Sequence, residues 1–374
     1  MIFDISDSSF KSVLNDKTLF LPIRWNGSDF VTTLDDLFNH YIRKIELLAD
    51  EKELFAQKIQ VDTETIKIVC GLLTKAVKHY LNGFPSKAYQ SFEEAMHYLM
   101  ATPLKIYQKS VMEQFDNSRS YNSRDDDLKL FRVVSVADNK PYTRERVFHT
   151  PYNLRSKVST SRYSIAGYPS LYLGTSIALC CEEIHMNPHQ DFSLASRFKL
   201  ERSIEYTNIH IRVIELGVKP QDFLENNDTN ETQRRRIPQQ LLDNRHIQSS
   251  YLVWYPLIAS CSYIRTNKHD PFAAEYIIPQ LLMQWVRNEI GTNRNDEHDE
   301  LVGIRYFSCA SIRASDMGFN YVFPTSGQQM FSGLPYCAVL SKAFRLTPPV
   351  YIHEYDNLRD CERQLRNSND FDFI

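Results

Sequence analysis

The sequence predicts an α+β protein, with an N-terminal all-helical domain over residues 1–120 and a mixed β-sheet domain with flanking helices over 128–374. Three observations carry this reading. Apolar residues recur at three- and four-residue spacing from Thr32 to about Phe115, as amphipathic helices require. A polar run from Asp116 to Asp127 then interrupts the pattern with the composition of a solvated linker. Beyond it the period shifts toward two, the repeat of strands. A chain of 374 residues allows about two domains of ordinary size.

In the helical part, Leu34, Phe38, Tyr41, Ile45, Leu48 and Phe55 form one stripe, and Ile66, Val69, Cys70, Leu73, Val77 and Tyr80 a second. Asp62 or Thr63 can cap the second helix and Asn82-Gly83 can stop it. Pro85-Ser86 opens a third helix carrying Tyr89, Phe92, Met96 and Leu99. In the second part, Leu128 to Val136, Ser170 to Leu173, Leu301 to Ser308 and Phe319 to Phe323 read as strands. Helices are expected after Ser176 and over Ile278 to Glu289, and surface loops over 225–236 and 291–300.

Composition narrows the function. Forty-three Lys and Arg against 46 Asp and Glu give a net charge of −3, so the whole molecule is no polycation built to coat nucleic acid or an anionic membrane. The start lacks the basic region of a secretory signal, which predicts a cytoplasmic protein. The most apolar stretch, Tyr251 to Ile264, is broken by Pro256 and falls short of the ~20 residues of a bilayer crossing, so no membrane contact is expected. Seven cysteines without a CxxC pair read as reduced thiols.

Candidate site residues emerge from local conflicts with pattern. Arg132 shares a strand face with Leu130, Val134 and Val136, and a guanidinium there must be paired or face a ligand. From Lys140 to Tyr172 six cations face one acid, Glu145, with tyrosines interleaved; this suits nucleotide phosphates and stacking, or simply a solvated basic loop. On the helix after Ser176, with apolar face Ile177, Cys180, Cys181 and Ile184, Glu182 lies about 150° from the face centre and Glu183 about 110°. Glu182 is thus expected in solvent, and Glu183 at the flank of the helix, where a carboxylate can look into a cleft although by periodicity alone a surface glutamate is the commoner outcome. Ser308 ends an apolar strand face after Ile304 and Tyr306. No GxGxxG, P-loop or GxSxG motif is present, nothing singles out a catalytic cysteine, and Pro188 interrupts the His185–His189 pair, so no metal is expected.

Taken in order, Phe131-Arg132, Ser161-Arg162-Tyr163-Ser164 with Gly167, Tyr172-Leu173-Gly174, Glu183, and Gly303-Ile304-x-Tyr306-x-Ser308 resemble the RES domain family, named for its arginine, glutamate and serine. The resemblance runs from about Leu128 to Thr347 and includes Phe272 to Val286. Ser164 stands where many relatives carry Asn, and Cys181 where many carry Trp. The N-terminal helices resemble the extensions, some HEPN-like, that precede some RES domains.

The resemblance implies an ADP-ribosyltransferase-like fold and an activity that consumes NAD+ as substrate, with no prosthetic cofactor. Glu183, Arg132 and Ser308 would be the catalytic residues, and Arg162, Tyr172, Tyr163 and Ser164 would bind the substrate. The implied role is a bacterial toxin or defence effector that cleaves the nicotinamide–ribose bond as a glycohydrolase or phosphorylase. An inhibitory antitoxin protein and a homo-oligomer are the implied partners. Two alternatives remain beside it: an ADP-ribosyltransferase acting on a protein or nucleic acid, and a non-catalytic RNA-binding or partner-binding protein. RNA cleavage is disfavoured, because the Arg-x4–6-His motif of HEPN nucleases is absent from residues 1–115. Its one match, Arg144 to His149, lies outside the helical domain.

Overall fold

The computed structural model describes residues 1–50, 58–101, 129–187, 192–201, 209–224, 237, 239–265, 267, 270–292, 299–325, 333 and 335–374. The expected linker 116–127, Phe55, His189 and most of the two expected loops lie outside them. The chain forms two compact units, Met1–Gln108 with Leu216–Leu282, and Lys109–Glu215 with Met283–Ile374.

Following the chain, the first unit opens with β1 (Ile2–Ile5), α1 (Asp7–Leu14), β2 (Ile23–Arg24), α2 (Phe30–Glu46), β3 (Ile59–Asp62), α3 (Thr63–Leu81) and α4 (Pro85–Ala101). The second unit supplies β4 (Leu130–Ser135), β5 (Ser170–Gly174), α5 (Ile177–Glu183), β6 (Ser193–Leu200) and β7 (Ile209–Leu216). The chain then returns to the first unit with α6 (Arg245–Ser260) and β8 (Tyr263–Ile264). It ends in the second with β9 (Asp299–Tyr306), β10 (Asn320–Pro324), β11 (Phe344–Leu346), β12 (Val350–Tyr351) and α7 (Leu358–Asn367). The helix expected near Ile278 to Glu289 is found over Ile277–Thr292.

The two expected helical stripes are buried from Leu34 to Leu48 and from Ile66 to Val77. Asp62 caps α3 by accepting from the Thr65 amide at 3.1 Å, and Gly83 follows the helix with φ +80°, a backbone that a side chain would strain. Two features correct the linear reading. The N-terminal part is not all helical, because β1 and β3 pair antiparallel. The split at 128 also misplaces Leu216–Leu282, which folds with the N-terminal helices. The cause is α6, buried without a break from Tyr251 to Ser260 and packed on α3 and β3.

The helix continues through Pro256, where the sequence suggested an interruption. Proline lacks the N–H that would bond the carbonyl four residues earlier, that of Leu252. The buried Tyr41 hydroxyl donates to that carbonyl at 2.7 Å and satisfies it. No helix among the described residues is long and apolar enough to cross a membrane.

The second unit is built on a sheet of order β11-β6-β4-β5-β10-β9-β7, with β12 also paired to β6. The registered pairs run antiparallel. On one face, Phe131 and Val133 of β4 pack with Ile177, Cys180 and Cys181 of α5 and Cys361 and Leu365 of α7. Inside the sheet Arg305 on β9 pairs with Glu215 on β7, both fully buried, and its guanidinium lies 3.4 Å from the Phe319 ring centroid. Charged partners so deep need each other, since either alone would be stranded.

Tyr41→Phe should destabilise the protein by about 1–3 kcal/mol by orphaning the Leu252 carbonyl. In a Pro256→Ala background, which restores an N–H at that point, the same change should cost clearly less. A double-mutant cycle in urea measures the difference, and equal costs in both backgrounds would refute the compensation.

Candidate active site

Glu183 closes the seven-residue helix α5, which Ser176 starts by accepting from the Leu179 amide at 3.2 Å. The helix lies close to the sheet because residue 174 is glycine: a Cβ there would sit 2.7 Å from Cys180 Sγ and 3.3 Å from Asn320 Oδ1. In the register, Gly174 faces Asn320, and Asn320 faces Tyr306 on its other side. Paired residues share a sheet face, so the end of β5, the start of β10 and the end of β9 look toward α5 together.

Four groups converge on the Glu183 carboxylate. Asn320 Nδ2 donates to its Oε1 at 2.6 Å. The buried Ser308 hydroxyl stands near enough to lower the carboxyl's pKa; because Ser308 Oγ accepts from the Ala310 amide at 3.1 Å, its own hydrogen is left to be donated. Arg162 acts on the carboxylate through its charge, and the buried phenol of Tyr306 stands within the same electrostatic range. Burial raises the Glu183 pKa above the usual carboxylate range, and Ser308, Arg162 and Asn320 pull it partly back. Of the two adjacent glutamates, Glu183, the one nearer the apolar face by helix angle, is the one bonded to Asn320. Glu182 is half-buried rather than in open solvent. Ile184, expected on the apolar face, is instead 41% exposed, because α5 ends at Glu183 and the backbone turns through His185 at φ +53°.

Tyr172 organises the loop that carries Arg162. Its hydroxyl bonds the Tyr163 carbonyl and lies 2.6 Å from Ser161 Oγ. Tyr163 is buried with its ring 4.6 Å from that of Tyr306. The Ser164 hydroxyl both accepts from the Ser161 amide and donates to the Ser161 carbonyl, each at 2.9 Å. Tyr163 and Ser164, expected to touch substrate, thus lie beneath the surface as supports of the Arg162 loop.

Arg132 occupies a different position. Phe131 and Val133 face α5, so by alternation Arg132 leaves β4 on the other side. Its NH1 reaches the Tyr172 carbonyl at 3.3 Å, while its buried Nε has no hydrogen-bond partner among the described residues. Burial lowers its pKa to about 10, which still leaves it charged at neutral pH.

Most of the other cations between Lys140 and Tyr172 are engaged within the fold. Arg144 donates to Leu346 O and Asp370, Arg146 to Ser135 O, and Arg155 lies over the Tyr152 and Tyr168 rings. His149 accepts from the Cys337 amide at Nε2 and bonds Thr150 O through Nδ1. Burial pushes its pKa down to about 4, so it is a neutral structural residue rather than a nuclease base. All seven cysteines are free and buried, and burial pushes the Cys181 and Cys361 thiols up to about 12, far from nucleophiles.

Asn320 is the site residue that the sequence reading missed. Its signal was present, because asparagine is depleted in strands and this one opens a central strand.

Among curated proteins, the chain is similar to one from Bacillus subtilis (strain 168) named "Putative toxin YopC". The two are 27% identical over 356 residues, 93% of this chain and 72% of that protein. No protein-family model matches the sequence. No solved structure matches it.

The raised pKa of Glu183 has a consequence for stability. Its ionisation costs more in the folded chain than in the unfolded one. The penalty is absent below the unfolded pKa, grows between the two values, and is complete above the folded one. Glu183→Gln should therefore gain stability over the wild type at pH 8 relative to the same comparison at pH 3. Urea midpoints at the two pH values measure it, and a pH-independent difference would show that the carboxylate is not desolvated.

Proposed function

We propose that the protein is an NAD+-degrading enzyme, a glycohydrolase or phosphorylase that cleaves the nicotinamide–ribose bond and acts as a toxin. The observation that carries the proposal is the desolvated carboxylate of Glu183, held by Ser308 and Asn320 with the Arg162 charge in range. The RES resemblance supplies the substrate, and the similarity to a protein named as a toxin agrees with the role.

The chemistry follows from charge. As the C–N bond breaks, its electron pair leaves with nicotinamide, which becomes neutral, and the ribose takes on positive charge, as in glycoside hydrolysis. A fixed carboxylate out of bulk water stabilises that charge strongly and needs no reorganisation at the moment of reaction. Ser308 and Asn320 hold it in place. Arg162 holds the pyrophosphate, the Tyr172 ring stacks on a base, and Arg132, on the other face of β4, supports β5 through the Tyr172 carbonyl. Water then adds to the ribose and releases a proton, giving ADP-ribose; inorganic phosphate adding instead gives its phosphate ester. An ADP-ribosyltransferase would use the same pocket and differ in the acceptor.

Purified protein mixed with NAD+, with and without phosphate, should release one nicotinamide per NAD+ lost, and mass spectrometry of the second product identifies the acceptor. Glu183→Gln should lower kcat/KM by roughly 10²–10³, and Glu182→Gln should leave it nearly unchanged. Intact NAD+ after incubation with folded wild type, or equal effects of the two changes, would overturn the proposal. A mass increase on a macromolecule would transfer it to the ADP-ribosyltransferase reading.

The active form is the ionised one, so activity should fall as pH drops through the raised pKa of Glu183. Asn320→Ala removes a donor that favours ionisation and should move this acid limb to higher pH. A limb that stays in place or moves lower would contradict the role given to Asn320.

A further inference from the structure

We propose that Glu362, on the C-terminal helix α7 and outside the segment that carries the family resemblance, is a positioning residue that sets the placement of Glu183. The inference rests on the reading of Glu183 as the acting carboxylate.

The N-terminus of α5 leaves amides without partners inside the helix. Ser176 takes that of Leu179, and Glu362 Oε2 takes that of Ile177 at 2.9 Å, from 185 residues away. The second oxygen of the same carboxylate is held by Arg366, from Nε at 2.8 Å and NH2 at 2.6 Å. Arg366 is fixed in turn. Its guanidinium lies 5.4 Å over the Phe131 ring on β4, and its carbonyl accepts from Arg197 NH1 on β6 at 2.7 Å. One connected set of groups thus ties the start of α5 to the two strands beneath it.

Spacing alone makes Glu362 and Arg366 look like an ordinary i,i+4 surface pair. Their side chains are only 18% and 34% exposed, however, and the carboxylate points at a helix end, where negative charge is favoured. A seven-residue helix does not hold itself in water. Its ends must therefore be fixed from outside, by Glu362 and Ser176 at one end and by the Asn320–Glu183 bond at the other. Two turns span about 10 Å, so a shift at Ile177 is carried along the rod to the carboxylate. The C-terminal helix is in this sense part of the site.

The test compares Glu362→Ala, Glu362→Gln and, on the same helix, Arg363→Ala, whose side chain is 72% exposed. Steady-state kinetics on NAD+ are combined with hydrogen exchange at the amides of residues 177–183. Glu362→Ala should lower kcat by about 10–100-fold with little change in KM, as expected for displacing a reacting group, and should speed exchange at Ile177. Glu362→Gln keeps an acceptor and should recover much of both. Arg363→Ala should change neither. Unaltered exchange at Ile177 in Glu362→Ala would overturn the proposal, and so would faster exchange with wild-type kcat. If the wild type does not consume NAD+, the proposed activity fails, and exchange through residues 177–183 still decides whether Glu362 holds this helix.

Discussion

A carboxylate partly withdrawn from water is the constraint around which the second unit is arranged. Burial works against the charged form of Glu183, and only charge or hydrogen bonds supplied by the fold can offset it. Those supports come from three elements far apart in sequence: the hydroxyl of Ser308 beyond β9, the amide of Asn320 opening β10, and the Arg162 loop before β5. The register of β5, β10 and β9 brings these segments side by side at the end of α5. Remove that register and Glu183 becomes one more surface glutamate.

Close approach of backbone is the second requirement, and it falls on glycine. Gly174 lets α5 settle onto the sheet beside Asn320. Gly303 lies under Phe323, whose ring carbon Cε1 would be 2.5 Å from an added Cβ. Tyr172 then links backbone to backbone, receiving Arg132 at its carbonyl and reaching the Tyr163 carbonyl with its hydroxyl. In this arrangement Tyr163 and Ser164, which look like ligand contacts in the sequence, serve instead to hold the Arg162 loop.

Much of the architecture was legible from periodicity, because burial of one stripe or face imposes a repeat on the chain. The α2 and α3 stripes, the Asp62 cap, the opening of α4 at Pro85, and strands β4, β5, β9 and β10 all follow from it. What periodicity cannot show is pairing at a distance. From Tyr251 to Ala259 α6 is apolar on all sides, and nothing local says that it folds with α3 rather than with the sheet that flanks it in sequence. Pro256 looked like a break because its remedy, the Tyr41 hydroxyl, lies 215 positions upstream in the chain. Within the site, the choice of Glu183 over Glu182 came from its spacing from Arg162 and Tyr172 in the family pattern, with which the helix angle agrees, and Ser308 from that pattern and its place at a strand end. The support roles of Tyr163 and Ser164, the cap from Glu362 and the Asn320 bond depend on tertiary contacts that leave no periodic trace.

The most direct test of the account follows the Glu183 carboxyl carbon by NMR titration, in the free protein and with carba-NAD+, which keeps the pyridinium cation but cannot form the oxocarbenium ion. The account predicts a midpoint above the ordinary glutamate range in the free protein, moving lower when the cationic ring binds beside the carboxylate. A midpoint at the ordinary value, or one indifferent to the analogue, would contradict it.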